Sequence, residues 1–428
     1  MHPELSVEER AEIMKRPRPR SLPIAPRAAQ AARGLPLASE ARAIDRACRP
    51  IYVVWELTLK CDLSCRHCGS RAGHERPDEL STAECLDLVR QMRELGVLEV
   101  TMIGGEAYLR DDWTEIGKAM VDSGMAVSMT TGGRGITPER ARAAKAAGLT
   151  SVSVSIDGMR EVHDRLRGVD GSFDRALAAM DALRAAGLIV TCNTQINRLS
   201  LAELPELLET IAAHGARSWQ IQMTVPMGRA ADEPDVLLQP YDFPEVFELL
   251  GKLQARAQEL GILVWPGNNV GYFGPQEDAL RGKSVLGHHG SCGAGQSIIG
   301  IEANGSIKGC PSLPTREWTG GNVRDASLKD IWERAQPLRY TRDRTVEDLW
   351  GYCRTCYYAD SCRAGCTWTS SVFFGKPGNN PYCHHRALEM KRAGVRERLV
   401  RKEAPEGAPF DHGRFEIIVE ALNQQEGV

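Results

Sequence analysis

The chain has 428 residues, a formal net charge of −3 at neutral pH and an apolar fraction of 42%. That length predicts two or three domains with a sizeable core, and a charge so near balance argues against a nucleic-acid binder, which carries a basic excess. No apolar run reaches about 18 residues and Met1–Glu12 lacks an apolar signal core, so neither a membrane-spanning helix nor a secretory signal is predicted, and cytoplasm is the expected compartment.

Thirteen cysteines in a chain this long point to metal rather than to a disulfide scaffold, which is usually short and secreted. Residues 1–50 read as an appendage. Lys15–Arg33 is rich in Pro, Arg and Ala with no acidic residue, which predicts a solvated, partly extended arm, or more sharply a docking arm for an acidic partner.

From Ile51 the pattern turns regular. Strands are predicted at Ile51–Leu59, Glu99–Ile103, Ala126–Thr131, Ser151–Ile156, Leu188–Ile196 and Ser218–Val225. Helices are predicted between and after them, at Ala83–Leu95, Trp113–Ser123, Pro138–Ala147, Phe173–Ala186, Leu204–His214 and Phe243–Leu260. Alternation over this length means βαβ units on a parallel sheet, an open or partial barrel of the TIM type within residues 51–265. Chemistry in such barrels sits at the C-terminal strand ends. Polar residues recur there at period two: Ser153, Ser155 and Asp157, then Asn193, Gln195 and Asn197, then Gln220, Gln222 and Thr224. Residues two apart on a strand share a face, so three strands would line a polar lumen.

Past residue 265 the alternation stops. Residues 266–385 are dense in Gly, Cys and Pro and need staples other than a hydrophobic core, such as metal clusters. Glu389–Lys402 reads as a charged helix, and the polar last 25 or so residues read as loosely held, so that 386–428 is expected to be a helix and tail.

Cys61, Cys65 and Cys68 follow the first predicted strand with the spacing Cys-x3-Cys-x2-Cys. Three thiolates on one tight loop can hold three irons of a [4Fe–4S] cube, which takes four cysteines when fully ligated, leaving one iron open to an exogenous ligand. A partial zinc site is the competing reading, since Cys-x2-Cys is zinc spacing too. The segment resembles the radical S-adenosylmethionine superfamily, whose fold is a partial (β/α)6 barrel. The resemblance implies that S-adenosylmethionine chelates the open iron and is cleaved reductively to a 5′-deoxyadenosyl radical. Gly104-Gly105-Glu106 resembles the superfamily segment that meets the cofactor's amino group, and Ser155-Ile156-Asp157-Gly158 the fourth-strand motif that meets its ribose or carboxylate. The run His163-Asp-Arg-Leu-Arg167-Gly168 resembles a segment of peptide-modifying members, implying that Arg167, in preference to Arg165, binds the methionyl carboxylate. His67 stands where the family often has an aromatic residue, against the adenine or simply packed. Gln195 is expected to face the same cofactor from the fifth strand.

The later cysteines form a second string: Cys292, then Gly305 and Cys310, then Cys353-x2-Cys356-x5-Cys362-x3-Cys366, then Cys383. This string resembles the SPASM extension of radical enzymes that act on peptides. The resemblance implies one auxiliary [4Fe–4S] cluster on Cys353, Cys356, Cys362 and Cys383 and another on Cys292, Cys310 and Cys366, three clusters in all. The fourth ligand of the last is open: His288, His289, another side chain, a small ligand or the substrate. A structural zinc ribbon remains the alternative. Cys85 and Cys192 are expected in the core, and Cys48 is unassigned.

What the resemblance implies is a radical enzyme that oxidatively modifies a ribosomally made peptide, by cross-linking or dehydrogenation. Oxidation of a protein side chain as in sulfatase maturases, small-molecule radical chemistry and a non-catalytic zinc scaffold are the alternatives. Expected partners are the peptide and a reductant such as flavodoxin or ferredoxin. The first 50 residues read as too short and too rich in Pro and Arg for a winged-helix leader-binding module, so the peptide is expected to be held by a separate peptide-recognition protein or by the barrel mouth, or to have no leader. No catalytic acid or base is identified; Tyr108 and Trp368 are candidate pocket residues.

Overall fold

The computed structural model describes residues 37–282 and 292–422. Strands β1 (Tyr52–Glu56), β2 (Glu99–Ile103), β3 (Ala126–Thr131), β4 (Ser151–Ser155), β5 (Ile189–Ile196), β6 (Ser218–Met223) and β7 (Leu263–Pro266) pair in sequence order, all parallel. Crossover helices join consecutive strands: Thr82–Leu95, Trp113–Asp122, Pro138–Ala146, Ser172–Ala185 (preceded by the shorter Arg160–Arg167), Leu204–Ala213 and Phe243–Glu259. The six expected strand–helix units are therefore present, and a short seventh strand follows them. The sheet continues past β1 into β8 (Ile298–Ile301), β9 (Ser306–Lys308) and β10 (Gly321–Asn322), and its linear order leaves β7 and β10 as edges, so the barrel does not close.

Local sequence sets these elements. Ser81 caps the first helix in a reciprocal box with Glu84, and Gly96 at φ 80° ends it. The helix buries Cys85, Leu88, Val89 and Met92 at helical spacing. On the strands, one face is mostly apolar and covered: Val53, Trp55, Val100, Met102, Val127, Val152, Val154, Trp219 and Ile221 expose at most 2%. The other face is polar and half exposed, carrying Ser128, Ser153, Ser155, Thr191, Asn193, Gln195 and Gln222. Two faces so different are what a sheet needs when helices cover one side and a ligand the other. Thr224 and Asn197, expected on the polar face, are instead buried at the strand ends.

The arm Lys15–Arg33 lies outside the described residues. Residues 37–50, expected to belong to it, pack onto the body: the fully buried Asp45 meets Arg339 at 2.8 Å and Arg342 at 3.1 Å, and Trp332 donates its indole N–H to the Cys48 carbonyl. At the other end two expectations are corrected. The helix His384–Arg392 stops at Gly394 (φ 72°), and Val395–Glu403 is a strand, β11, paired antiparallel with β12 (Arg414–Ala421) in the region expected to be a loose tail. The alternation is masked because a charged residue, Glu397, occupies an inward position: it is 2% exposed and its carboxylate accepts from Nε and Nη2 of the buried Arg386, at 2.7 and 2.8 Å.

No helix of the described residues is long and apolar enough to cross a membrane. Cys85 and Cys192 are 1% and 0% exposed, core positions as expected, and Cys48 packs half-buried against the core.

Candidate active site

The loop after β1 is pinned on two sides. Ser64 and Arg66 donate their backbone N–H to the carbonyls of Arg167 and Leu166, at the end of the helix Arg160–Arg167; Gly105 and Glu106 donate theirs to Thr58 and Lys60. These contacts leave no room for a side chain at Gly105, where a Cβ would lie 2.1 Å from the Lys60 carbonyl oxygen. The glycines after β2 are thus a close approach between two backbones, which sets Glu106 beside the thiol loop.

Cys65 is buried, and Cys61 and Cys68 are half-buried beside it. Burial first, then the neighbouring Glu106 carboxylate and the other two thiols, push Cys61 far up; burial also lifts Cys65 to about 11, against the pull of Arg167. Three thiols gathered on one loop are a donor set for a cation, which displaces their protons on binding.

Glu106 is buried, accepts 2.5 and 2.6 Å hydrogen bonds from Thr131 Oγ1 and the Gly132 N–H, and makes no ion pair among the described residues. Burial pushes it up to about 7. One carboxylate oxygen, the Cys61 thiol and an Asp62 oxygen lie within 4.8 Å of one another. A buried carboxylate without a cation, beside the thiols, is suited to an ammonium group.

Asp157, fully buried after β4, is a hub. Its Oδ2 lies 2.6 Å from Arg167 Nη2 and 2.9 Å from His67 Nε2, and its Oδ1 accepts the Gln195 N–H at 2.9 Å. Although burial opposes it, Arg167 and then His67 hold the Asp157 carboxyl well below the usual range. Both oxygens are thus committed to protein, so Asp157 positions Arg167 and His67. Arg167 in turn places Nη1 3.7 Å from Cys65 Sγ. Arg165, the other candidate, is exposed. His67 is 4% exposed with Nδ1 unbonded. Ser155 and Gln195 are half-exposed on the concave face, Ser155 on the strand that leads into Asp157 and Gln195 beside Gln222, which donates to Asn193 at 3.3 Å.

The seven later cysteines fall into two neighbourhoods within which the thiols act on one another electrostatically, a triad of Cys292 with Cys310 and Cys366, and a tetrad of Cys353 with Cys356, Cys362 and Cys383. Cys310 is pushed up to about 12 by burial and then by Cys292 and Cys366; Cys366 rises to about 11, by burial and then Cys292. In the other group burial and then Cys383, Cys353 and Cys356 raise Cys362, and Cys383 reaches about 12 through burial and Cys353 and Cys356, with Arg386 pulling the other way. Tyr272 is wedged between the groups: Gly365, next to Cys366, abuts its ring, and its carbonyl accepts the N–H of His385, two residues past Cys383. His288 and His289 lie outside the described residues.

Several site residues carried no sequence signal because their contacts span long separations. Arg229 ties the thiol loop from outside, donating Nε to the Cys65 carbonyl at 2.6 Å and Nη2 to that of Ala72 at 3.0 Å. Arg71 bridges Asp232 and Asp411, and the Phe410 N–H reaches the Gly69 carbonyl, so the turn of the C-terminal hairpin covers the loop. Tyr108 is no pocket residue: it is 3% exposed, donates to Asp62 at 2.9 Å and accepts the Gly135 N–H. Trp368 points its indole N–H at Met227 Sδ, 3.2 Å away.

Three thiols, an unpaired buried carboxylate, a buried arginine and a polar concave face fit an iron–sulfur cluster with S-adenosylmethionine, and the triad and tetrad fit two further clusters. Comparison with known proteins agrees. The family model of the radical SAM superfamily matches residues 55–224, and that of an iron–sulfur cluster-binding domain, SPASM, matches residues 292–357. An AdoMet-dependent heme synthase of Methanosarcina barkeri is 30% identical over 350 residues, 79% of this chain and 97% of the relative. Mycofactocin maturase MftC of Mycobacterium tuberculosis is 32% identical over 348 residues, 78% of this chain and 83% of the relative. Among solved structures, SuiB of Streptococcus suis bound to S-adenosylmethionine superposes with a TM-score of 0.61 at 17% identity, covering 78% of this chain and 76% of that one. The protein anSMEcpe with bound AdoMet and a peptide gives 0.63 at 17% identity, covering 80% and 96%. At that identity the likeness is one of fold.

Proposed function

The chain belongs to the radical SAM superfamily and carries its SPASM iron–sulfur domain, and from that premise we propose that it oxidatively modifies a peptide. The observation that carries the choice of substrate is the concave face. Beyond Ser155 and Gln195, which we leave to the cofactor, Ser153, Thr191, Asn193 and Gln222 offer hydroxyls and amides, which match the N–H and C=O groups of a peptide. The relative named mycofactocin maturase supports the same reading.

When bound, the cofactors supply a 5′-deoxyadenosyl radical and two electron-accepting clusters. Cys61, Cys65 and Cys68 would hold the first cluster, Cys292, Cys310 and Cys366 the second, and Cys353, Cys356, Cys362 and Cys383 the third. Glu106 would receive the ammonium group of S-adenosylmethionine and Arg167 its carboxylate. Asp157 keeps Arg167 aimed at the loop, and the hairpin turn with Arg71 and Arg229 shields the loop from water. A net oxidation needs an electron outlet, which clusters held by the triad and tetrad would supply. We place the reaction in the cytoplasm with a flavodoxin- or ferredoxin-type reductant and a separate peptide-recognition protein.

A second reading has its own observation: the heme synthase relative matches over 97% of its length. A flat macrocycle calls for an apolar slot, whereas this face is lined by amides. The test is anaerobic incubation of the reconstituted chain with S-adenosylmethionine, dithionite and either peptides encoded beside its gene or carboxylated porphyrins. The proposal predicts a peptide that loses two hydrogens; conversion of the porphyrin alone would sink it.

A further inference from the structure

A large cavity lies apart from the thiol sites. It encloses about 700 Å³ between β11, residues 234–239 and the turn after β5. Four arginines line it, Arg198, Arg396, Arg398 and Arg401, against two carboxylates, Asp235 and Glu420. Their pairing leaves a cationic surplus. Glu420 is shared by Arg396 at 2.9 Å and Arg398 at 3.2 Å. Arg401 spends Nη1 on the carbonyl oxygens of Ala231 and Asp232, at 2.8 and 3.0 Å. The Arg198 side chain is exposed and makes no hydrogen bond or ion pair among the described residues. Alternation along β11 turns Arg396 and Arg398 away from the buried Val395, Glu397 and Leu399 and toward the cavity, and Arg401 joins them from the exposed end of the strand.

The cavity adjoins the site. Arg198 follows Asn197 at the C-terminal end of β5. Arg401 grips Asp232, whose carboxylate pairs at 2.7 Å with Arg71, three residues beyond Cys68. The nearby edge of β11 is already occupied, because the Gln239 side chain accepts the Leu399 N–H at 2.7 Å and donates to its carbonyl at 3.4 Å. A partner is therefore held by charge rather than by strand addition.

We infer that this groove binds an acidic segment of the peptide substrate, through Arg198 and Arg398, an assignment that rests on the peptide reading above. The probes are a fluorescein-labelled Gly/Ser peptide carrying a run of glutamates and its glutamine counterpart, followed by anisotropy on the reconstituted full chain. The glutamate peptide binds more tightly, increasingly so at low salt, and R198Q/R398Q weakens it by about tenfold, as two partly exposed ion pairs allow. Formation of 5′-deoxyadenosine without peptide stays unchanged, since neither arginine touches a thiol site. R198E, at an exposed unpaired position, repeats the loss without risk to the fold. Equal binding of both peptides overturns the assignment, as does a carboxylated porphyrin that binds more tightly than either. If the wild type oxidises a peptide and R198Q/R398Q does so with the same KM, the groove assignment fails alone; if the glutamate peptide binds but no peptide is oxidised, the functional reading fails alone.

Discussion

Asp157→Asn removes one charge from a fully buried cluster and leaves its volume unchanged. The carboxylate now faces Arg167 at 2.6 Å, His67 at 2.9 Å and the Gln195 N–H at 2.9 Å. The amide can keep the last contact, but it leaves the Arg167 guanidinium buried without a counter-charge. Breaking a buried pair in this way costs about 3–5 kcal/mol. At roughly 2–4 °C per kcal/mol for a domain of barrel size, the iron-free chain should melt about 10 °C lower. The same loss frees Arg167 from its aim at Cys65, so the KM for S-adenosylmethionine should rise while the iron held by the triad and tetrad stays. Circular dichroism on the reduced apoprotein and a cleavage assay on the reconstituted one measure the two effects. A variant that melts within 2 °C or so of wild type and keeps its KM would refute the role given to Asp157.

Glu106→Gln keeps shape and hydrogen-bond reach but removes the charge offered to an ammonium group; KM for S-adenosylmethionine should rise about 10- to 100-fold, the worth of one charge-assisted hydrogen bond, with iron content unchanged. Arg386→Met strands the buried Glu397 and should cost about 3–5 kcal/mol, whereas the double change Arg386→Met, Glu397→Leu should recover most of that loss in denaturant titrations. His163 is held neutral, pushed down to about 3 by burial and then by Arg167. A lowered folded pKa contributes stability above the unfolded value near 6.5 and loses it as pH falls, so apoprotein stability should drop from pH 6.5 toward 4, and less so in His163→Phe. A stability that is flat over that range in the wild type would contradict this.

What was legible in the sequence and what was not divide by range. Period-two strands and period-3.6 helices between Tyr52 and Glu259 are local signals, and each expected element appears within a few residues of its place. Cysteine spacing is local too, and it is what separates the loop thiols from the later seven along the chain. The hairpin β11–β12 was hidden because Glu397 breaks the apolar alternation, and only Arg386, eleven residues away, makes a charge tolerable there. Arg229, Arg71 and Asp411 act across 150 residues or more, and nothing in their own neighbourhoods marks them. Asp157 was found by its motif, but its part as an anchor, with both oxygens turned to protein, needed the third dimension.

The central claim is that Cys61, Cys65 and Cys68 hold the cluster that cleaves S-adenosylmethionine. It is tested most directly by quantifying 5′-deoxyadenosine from the anaerobically reconstituted chain with dithionite, beside Cys65→Ala. The wild type should bind about twelve irons per chain and release 5′-deoxyadenosine; Cys65→Ala should hold about eight and release none. A wild type that binds zinc in place of iron, or a Cys65→Ala variant that still cleaves the cofactor, would contradict it.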